Sequence, residues 1–206
     1  MWLILFWLIC GIAVISERAV YLWGASINKE VFLATMQKCI LAGDVAKAVK
    51  MASAANAPLA RIVQAGLVKV NRPDEEVQAA MDEAALKEMP PINKRTGFLA
   101  LFANLAMLCG LFGTIVGLIK AFGAVGGESI DPSQKARILA EGISEAMNCT
   151  AFGLLSAITC LTGFAVMNGK TQGLEDDINE ASVVVLNLVV ANRQKVSLQG
   201  LEQAAG

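Results

Sequence analysis

The chain has 206 residues, of which 55% are apolar and only 17% charged, with a formal net charge of −1 and a mean hydropathy of +0.56. Near-neutral charge with no basic stripe and no aromatic–basic interleaving sets nucleic-acid binding aside. The chain has no His, and so lacks the commonest metal ligand and general base. The five cysteines, at positions 10, 39, 109, 149 and 160, form no C-x-x-C pair, so neither a zinc site nor a disulfide framework is suggested.

Taken in chain order, the first apolar run is Met1 to Ile15, uncharged but short. It resembles a signal-peptide core in length. However, no Lys or Arg precedes it and no small-residue cleavage site follows. Glu17 and Arg18 come next, then Ala19 to Trp23, which predicts a first transmembrane helix over 1–23 with Tyr21 and Trp23 as interfacial anchors.

Residues 24–95 are soluble in character and predict a helical segment. Val31, Phe32, Met36, Cys39 and Ile40 recur at helical spacing. Asp44 suits an N-cap for Val45 to Ala54. Pro58 opens a helix to Val70. Pro73 with Asp74, Glu75 and Glu76 suits the first turn of a helix to Glu88. Pro90 and Pro91 are expected to stop or kink the chain there. No β pattern of any length occurs.

Thr96 to Ile119 and Ala146 to Gly169 carry no Asp, Glu, Lys or Arg. Each is longer than the roughly 18–20 apolar residues that cross a bilayer as a helix. They predict transmembrane helices over 96–122 and 138–169, joined by a turn-rich loop over 123–137 with Gly123, Gly126, Gly127 and Pro132. Ten of the seventeen Lys and Arg residues lie between Gly24 and Arg95, so the positive-inside rule puts that segment in the cytoplasm and the amino terminus and the loop outside. The tail, 170–206, is then cytoplasmic. It carries Glu175, Asp176, Asp177 and Glu180, then Arg193 and Lys195, and apolar residues at 178, 185, 186 and 189 that extend the third helix beyond the bilayer. The run from Ala181 to Ala191 is too short for a fourth span. The fold class expected is an all-α integral membrane protein with three spans and long cytoplasmic extensions.

Small residues stripe both long helices. On the second span Ala103, Ala106, Gly110, Gly113, Thr114, Gly117 and Ala121 recur every three or four residues; on the third, Ala146, Thr150, Gly153, Ala157 and Cys160 do so. Such stripes let helices approach closely in lipid, and Gly113–Gly117 is itself a G-x-x-x-G. Helix pairing explains most of these positions; a stripe facing a lumen or a partner helix is the alternative. Polar groups favour the alternative. Glu145, with Glu141 one turn earlier, opens the third span, and Asn148 and Cys149 share its side while Thr150 lies about 140° round. An ionisable group at membrane depth usually faces a bundle interior or a wet cavity. The plainer readings are a solvated helix start for Glu145 and back-bonding within their own helices for Thr114 and Thr150.

The run from Gly110 through Leu111, Phe112, Gly113, Thr114, Ile115, Val116 and Gly117 to Phe122 resembles the G-L-L-G-T-V-x-G signature of the MotA/TolQ/ExbB proton-channel family. The run from Gly142 through Glu145, Ala146, Thr150, Ala151 and Gly153 to Leu154 resembles its G-I-x-E-A-L-x-x-T-A-x-G-L motif. Glu17-Arg18, Asn56 to Leu59 and Gly66-Leu67 fit the same pattern in the same order. Met107 and Thr159 stand where the family often has Pro, which predicts straighter helices, and Cys149 stands where Thr or Ala is usual.

The resemblance implies a bacterial inner-membrane, multi-pass subunit of the three-span ExbB/TolQ branch. It implies a homopentamer around a dimer of single-span ExbD/TolR/MotB-like partners, each carrying a membrane Asp. Protons, with Na⁺ as the alternative ion, would pass through that Asp beside Thr114 and Thr150 and drive rotation that does work on the envelope. Glu145 and Asn148 join the ion path, and Gly110, Gly113, Gly117, Ala146, Gly153 and Ala157 serve packing. No enzymatic activity, metal or organic cofactor is expected. A structural membrane scaffold and a small-solute transporter subunit are the competing classes, although a transporter usually shows more spans and internal repeats with broken helices.

Overall fold

A computed structural model describes residues 2–126 and 131–192. Gly127 of the expected loop and Arg193 and Lys195 of the expected tail lie outside the described residues. Seven helices follow one another: α1 (Trp2–Ala25), α2 (Lys29–Leu41), α3 (Val45–Ala54), α4 (Pro58–Val68), α5 (Asp74–Asn93), α6 (Thr96–Val125) and α7 (Pro132–Ala191). No strand occurs among the described residues. Three helical stretches are long and apolar enough to cross a membrane, and no more than 28% of any one of their most apolar windows is buried. Apolar surface left outside on that scale suits a lipid environment.

The chain forms two compact units, Met1–Ala19 with Arg95–Asn168, and Val20–Lys94 with Gly169–Gly206. In the first, α6 and α7 pair along their small residues and α1 packs against both. Trp7 of α1 meets Phe102 of α6 with ring centroids 5.5 Å apart. Gly11 accepts the Cys160 thiol and Gly163 accepts Ile15, so close that a methyl group on either glycine would collide. Ala103, Ala157 and Cys160 form a buried knot with Phe102 against it.

The second unit is a helical bundle with a conventional apolar core of Met36, Ile40, Ile62, Val63, Val77 and Ile92. Local chemistry sets its boundaries. Asn28 accepts the Val31 N–H and Asp44 the Lys47 N–H, satisfying first-turn donors of α2 and α3. Pro58 stands in the first turn of α4. Ile178, Ala181, Val185 and Val189 of α7 are buried here at the three- and four-residue spacing of one helix face. Lys29 pairs with Asp177 and with Glu180, each at 2.8 Å, and those hydrogen bonds raise its pKa above the ordinary lysine value.

The prolines of α5 behave differently from expectation. The helix runs through Pro90 and Pro91 to Asn93. Each proline removes its own N–H but leaves its carbonyl usable, and Lys94 N–H closes onto Pro90 O at 2.9 Å. The break falls at Arg95, whose φ of 69° is left-handed. Its guanidinium pairs with Glu17 of α1, within the first unit.

Candidate functional site

The two motif runs meet as one antiparallel helix pair. A methyl group on Gly110 would lie 3.0 Å from the Cys149 carbonyl oxygen and 3.1 Å from the Gly153 Cα. One on Gly113 would lie 3.0 Å from the Cys149 Cβ, and one on Gly117 3.2 Å from the Ala146 Cβ. Gly142 faces Ala121 with no room for a methyl group. Numbers rise on α6 as they fall on α7, so the contact runs unbroken over about three turns. Backbones this close are what small residues permit in lipid, where van der Waals packing drives association. Gly110, Gly113, Gly117, Ala146 and Gly153 lie in this seam, and Ala157 lies in the buried knot.

The same register places Thr114 level with Cys149 and Thr150. Successive helical residues turn by about 100°, so Thr114 and Thr150 fall on one flank of the seam, both half-buried. The Thr114 hydroxyl donates to Leu111 O at 2.6 Å. The Thr150 Cα lies 3.5 Å from where a Gly110 methyl would stand, so its backbone forms the edge of the contact.

Glu145 and Asn148 fall on the other flank and are exposed. The four ion-path candidates are thus two pairs on opposite sides of one helix contact. Cys149 parts from Asn148 as well: it is buried against Gly113. Glu145 does not begin its helix. Pro132 begins α7, thirteen residues earlier, roughly 20 Å along the axis.

On the Glu145 flank α1, α6 and α7 enclose a cavity of about 480 Å³. Its lining is mixed: Leu3, Ile4, Phe112 and Val116 are among its apolar residues, and Lys120, Glu141 and Glu145 are its charged ones. Glu141 is engaged by Arg137 at 2.9 Å. An adjoining groove adds Ser144, Asn148 and Phe152 to Glu141 and Glu145. Sequence reasoning did not single out Lys120. What could have singled it out is the eight-residue step back to Phe112 and four-residue step to Val116, which put it on their face.

α7 passes through Thr159 without interruption, and that hydroxyl donates to Leu155 O at 2.9 Å. α6 likewise passes through Met107.

A membrane-spanning α-helical protein in which two of three membrane-length helices meet along a glycine seam is the class these features define. The model of the MotA/TolQ/ExbB proton channel family matches residues 54–180, and the chain belongs to that family. It is a multi-pass inner-membrane protein. It is 33% identical over 98 residues to the Tol-Pal system protein TolQ of Haemophilus influenzae, covering 48% of this chain and 42% of that one. It is 34% identical over 110 residues to the biopolymer transport protein ExbB of Pseudomonas putida, covering 53% and 32% respectively. An ExbB-like protein of Synechocystis sp. is 27% identical over 152 residues, covering 73% of this chain and 71% of its own. The matches thus span less than half the length of the TolQ and ExbB relatives.

Proposed function

We propose that this chain is the channel-forming subunit of a proton-driven inner-membrane motor. Five copies surround a dimer of single-span ExbD/TolR/MotB-like partners and turn ion flow into mechanical work on the envelope, in transport energisation, envelope maintenance or gliding. The observation that carries this reading is the register of the seam, which sets Thr114 level with Thr150 on one flank of the two family motifs. That flank is the one assigned to the partner helix and the ion path. The Glu145 and Asn148 flank is assigned to the outer mouth and to assembly. Residues 24–95 and the end of α7 are assigned to the cytoplasm by their charge.

The partner is required because a relay needs a titratable group near mid-membrane. Threonine does not titrate in the usable range, and neither apolar run contains an acid between its ends. Protonation of the partner's Asp would change which wall of the pentamer it prefers. A ligand or proton shifts such an equilibrium only through that difference in preference.

The test is reconstitution in liposomes under a pH gradient and, separately, a Na⁺ gradient. Expected are tight vesicles with this chain alone, proton flux with the partner, and none when the partner's Asp is changed to Asn. Proton flux through the purified chain by itself overturns the model. No flux under any condition leaves the structural scaffold.

A further inference from the structure

We infer that the cavity between α1, α6 and α7 is a binding site for a zwitterionic phospholipid, one bearing a phosphoethanolamine headgroup. Three observations lead there. The cavity volume, about 480 Å³, is in the range that holds a small organic ligand. Its walls belong to helices that cross the membrane, so its apolar part faces hydrocarbon. A second, almost wholly apolar groove lined by Trp2, Leu5, Leu8 and Phe152 adjoins it through Ile4, and offers a track for an acyl chain.

Charge then selects the headgroup. Glu141 is already paired with Arg137. Lys120 and Glu145 have no ion-pair partner among the described residues. The seam register sets Lys120 level with Ile143, about 3 Å along the axis from Glu145. An ammonium and a carboxylate, each without an ion-pair partner among the described residues, line the same cavity without pairing with each other. Each is expensive at the edge of a bilayer unless a partner is supplied. A phosphate for Lys120 and an ammonium for Glu145, carried on one head, satisfies both. Ser144 and Asn148, in the groove beside Glu145, add donors for ester and phosphate oxygens. An anionic head would leave Glu145 facing like charge.

The site lies on the flank opposite Thr114 and Thr150 but takes in Glu145, so lipid occupancy is measured directly rather than through ion conduction. The test uses the purified full-length chain in detergent with equal amounts of phosphatidylethanolamine and phosphatidylglycerol, and reads bound lipid by native mass spectrometry. The wild-type protein should retain the ethanolamine lipid about fivefold over the glycerol lipid, the discrimination expected of one partly exposed charge pair. Lys120→Gln should lower ethanolamine-lipid retention by a similar factor, and Lys120→Arg should restore it. Lys120→Glu should lower it further. Helix content by circular dichroism, equal across the variants, reports that the chain has folded. Equal retention of both lipids by the wild type, a preference for the glycerol lipid, or unchanged retention in Lys120→Gln overturns the inference. So does stoichiometric self-association that excludes lipid and shields Lys120 from amine labelling, which would make a second copy the occupant.

Discussion

Gly110 and Gly153 touch backbone to backbone: a methyl group on Gly153 would lie 2.9 Å from the Gly110 Cα and 3.0 Å from the Ala106 carbonyl oxygen. Backbone atoms cannot swing aside as a flexible side chain can. Gly153→Ala should therefore push the helices apart, at a cost of about 1–3 kcal/mol as overpacking. Gly97, with nothing within 4 Å of its missing Cβ, is the control. Gly97→Ala should be neutral or stabilising by about 0.5–1 kcal/mol, the ordinary helix preference for Ala. Thermal unfolding in detergent reads both, and an unchanged midpoint for Gly153→Ala would mean the seam is looser than described.

Thr114 and Thr150 separate packing from conduction. Valine keeps the shape of threonine but has no hydroxyl. If the Thr114 and Thr150 flank lines the ion path, Thr114→Val and Thr150→Val should assemble normally while partner-dependent proton flux falls by roughly tenfold or more, in line with the loss of a positioned polar group. Full flux in both variants would leave the hydroxyls as structural, and for Thr114 its bond to Leu111 O would then be its whole role.

Lys29 carries a test of the second unit. It holds Asp177 and Glu180 together from the start of α2, but both carboxylates are partly solvated. Such pairs contribute little individually and are screened by salt. Lys29→Met should lower the unfolding midpoint by a few degrees at most, and the difference from wild type should shrink as salt is raised to about 1 M. A large loss that ignores salt would show that the aliphatic stem of Lys29, rather than its charge, is what the unit needs.

Much of this was legible in the sequence because lipid imposes simple rules. Uncharged runs as long as Thr96 to Ile119 have few alternatives to a span, and helix caps such as Asp44 sit where their chemistry requires. The glycine stripes were legible as packing faces, since spacing alone places Gly110, Gly113 and Gly117 together. What spacing did not give was the partner face: that Cys149 turns into the seam while Asn148 turns out depends on how α7 is rotated against α6. Proline misplaced the end of α5 for a related reason. Pro90 and Pro91 lack donors, yet the helix needs only their carbonyls to continue to Asn93. Arg95, in a left-handed conformation rare for a residue with a side chain, carries no local signal, because its pairing with Glu17 reaches back 78 residues along the chain.

Orientation follows from charge and is tested directly. Reporter fusions at Lys50 should read cytoplasmic and those at Gly126 periplasmic, given the excess of Lys and Arg between Gly24 and Arg95. A cytoplasmic signal at Gly126 would reverse the assignment and move Lys120 and Glu145 to the inner end of the bundle.

Glu145 decides between a solvated carboxylate and a working one. It stands well inside α7, and the seam register sets it level with Leu118, at the end of the uncharged run of α6, which closes at Ile119 before Lys120. Leu118 lies seven residues before Val125, roughly 10 Å from the end of α6. An ionisable group at the edge of a span more often faces a wet cavity than lipid, and Glu145 borders both the cavity and the adjoining groove. Shortening it to Asp keeps the charge and withdraws it by one methylene. Removing it with Ala opens the groove and takes the carboxylate away from the cavity that Lys120 also lines. Partner-dependent proton flux should therefore survive Glu145→Asp within a few-fold and fall roughly tenfold or more in Glu145→Ala, the loss typical of a positioned acid–base or counter-charge group. Blue-native electrophoresis of the same variants separates failed assembly from failed conduction. If Glu145→Ala assembles and conducts like wild type, the carboxylate is simply solvated at the mouth of the cavity, and the ion path runs along the Thr114 and Thr150 flank alone.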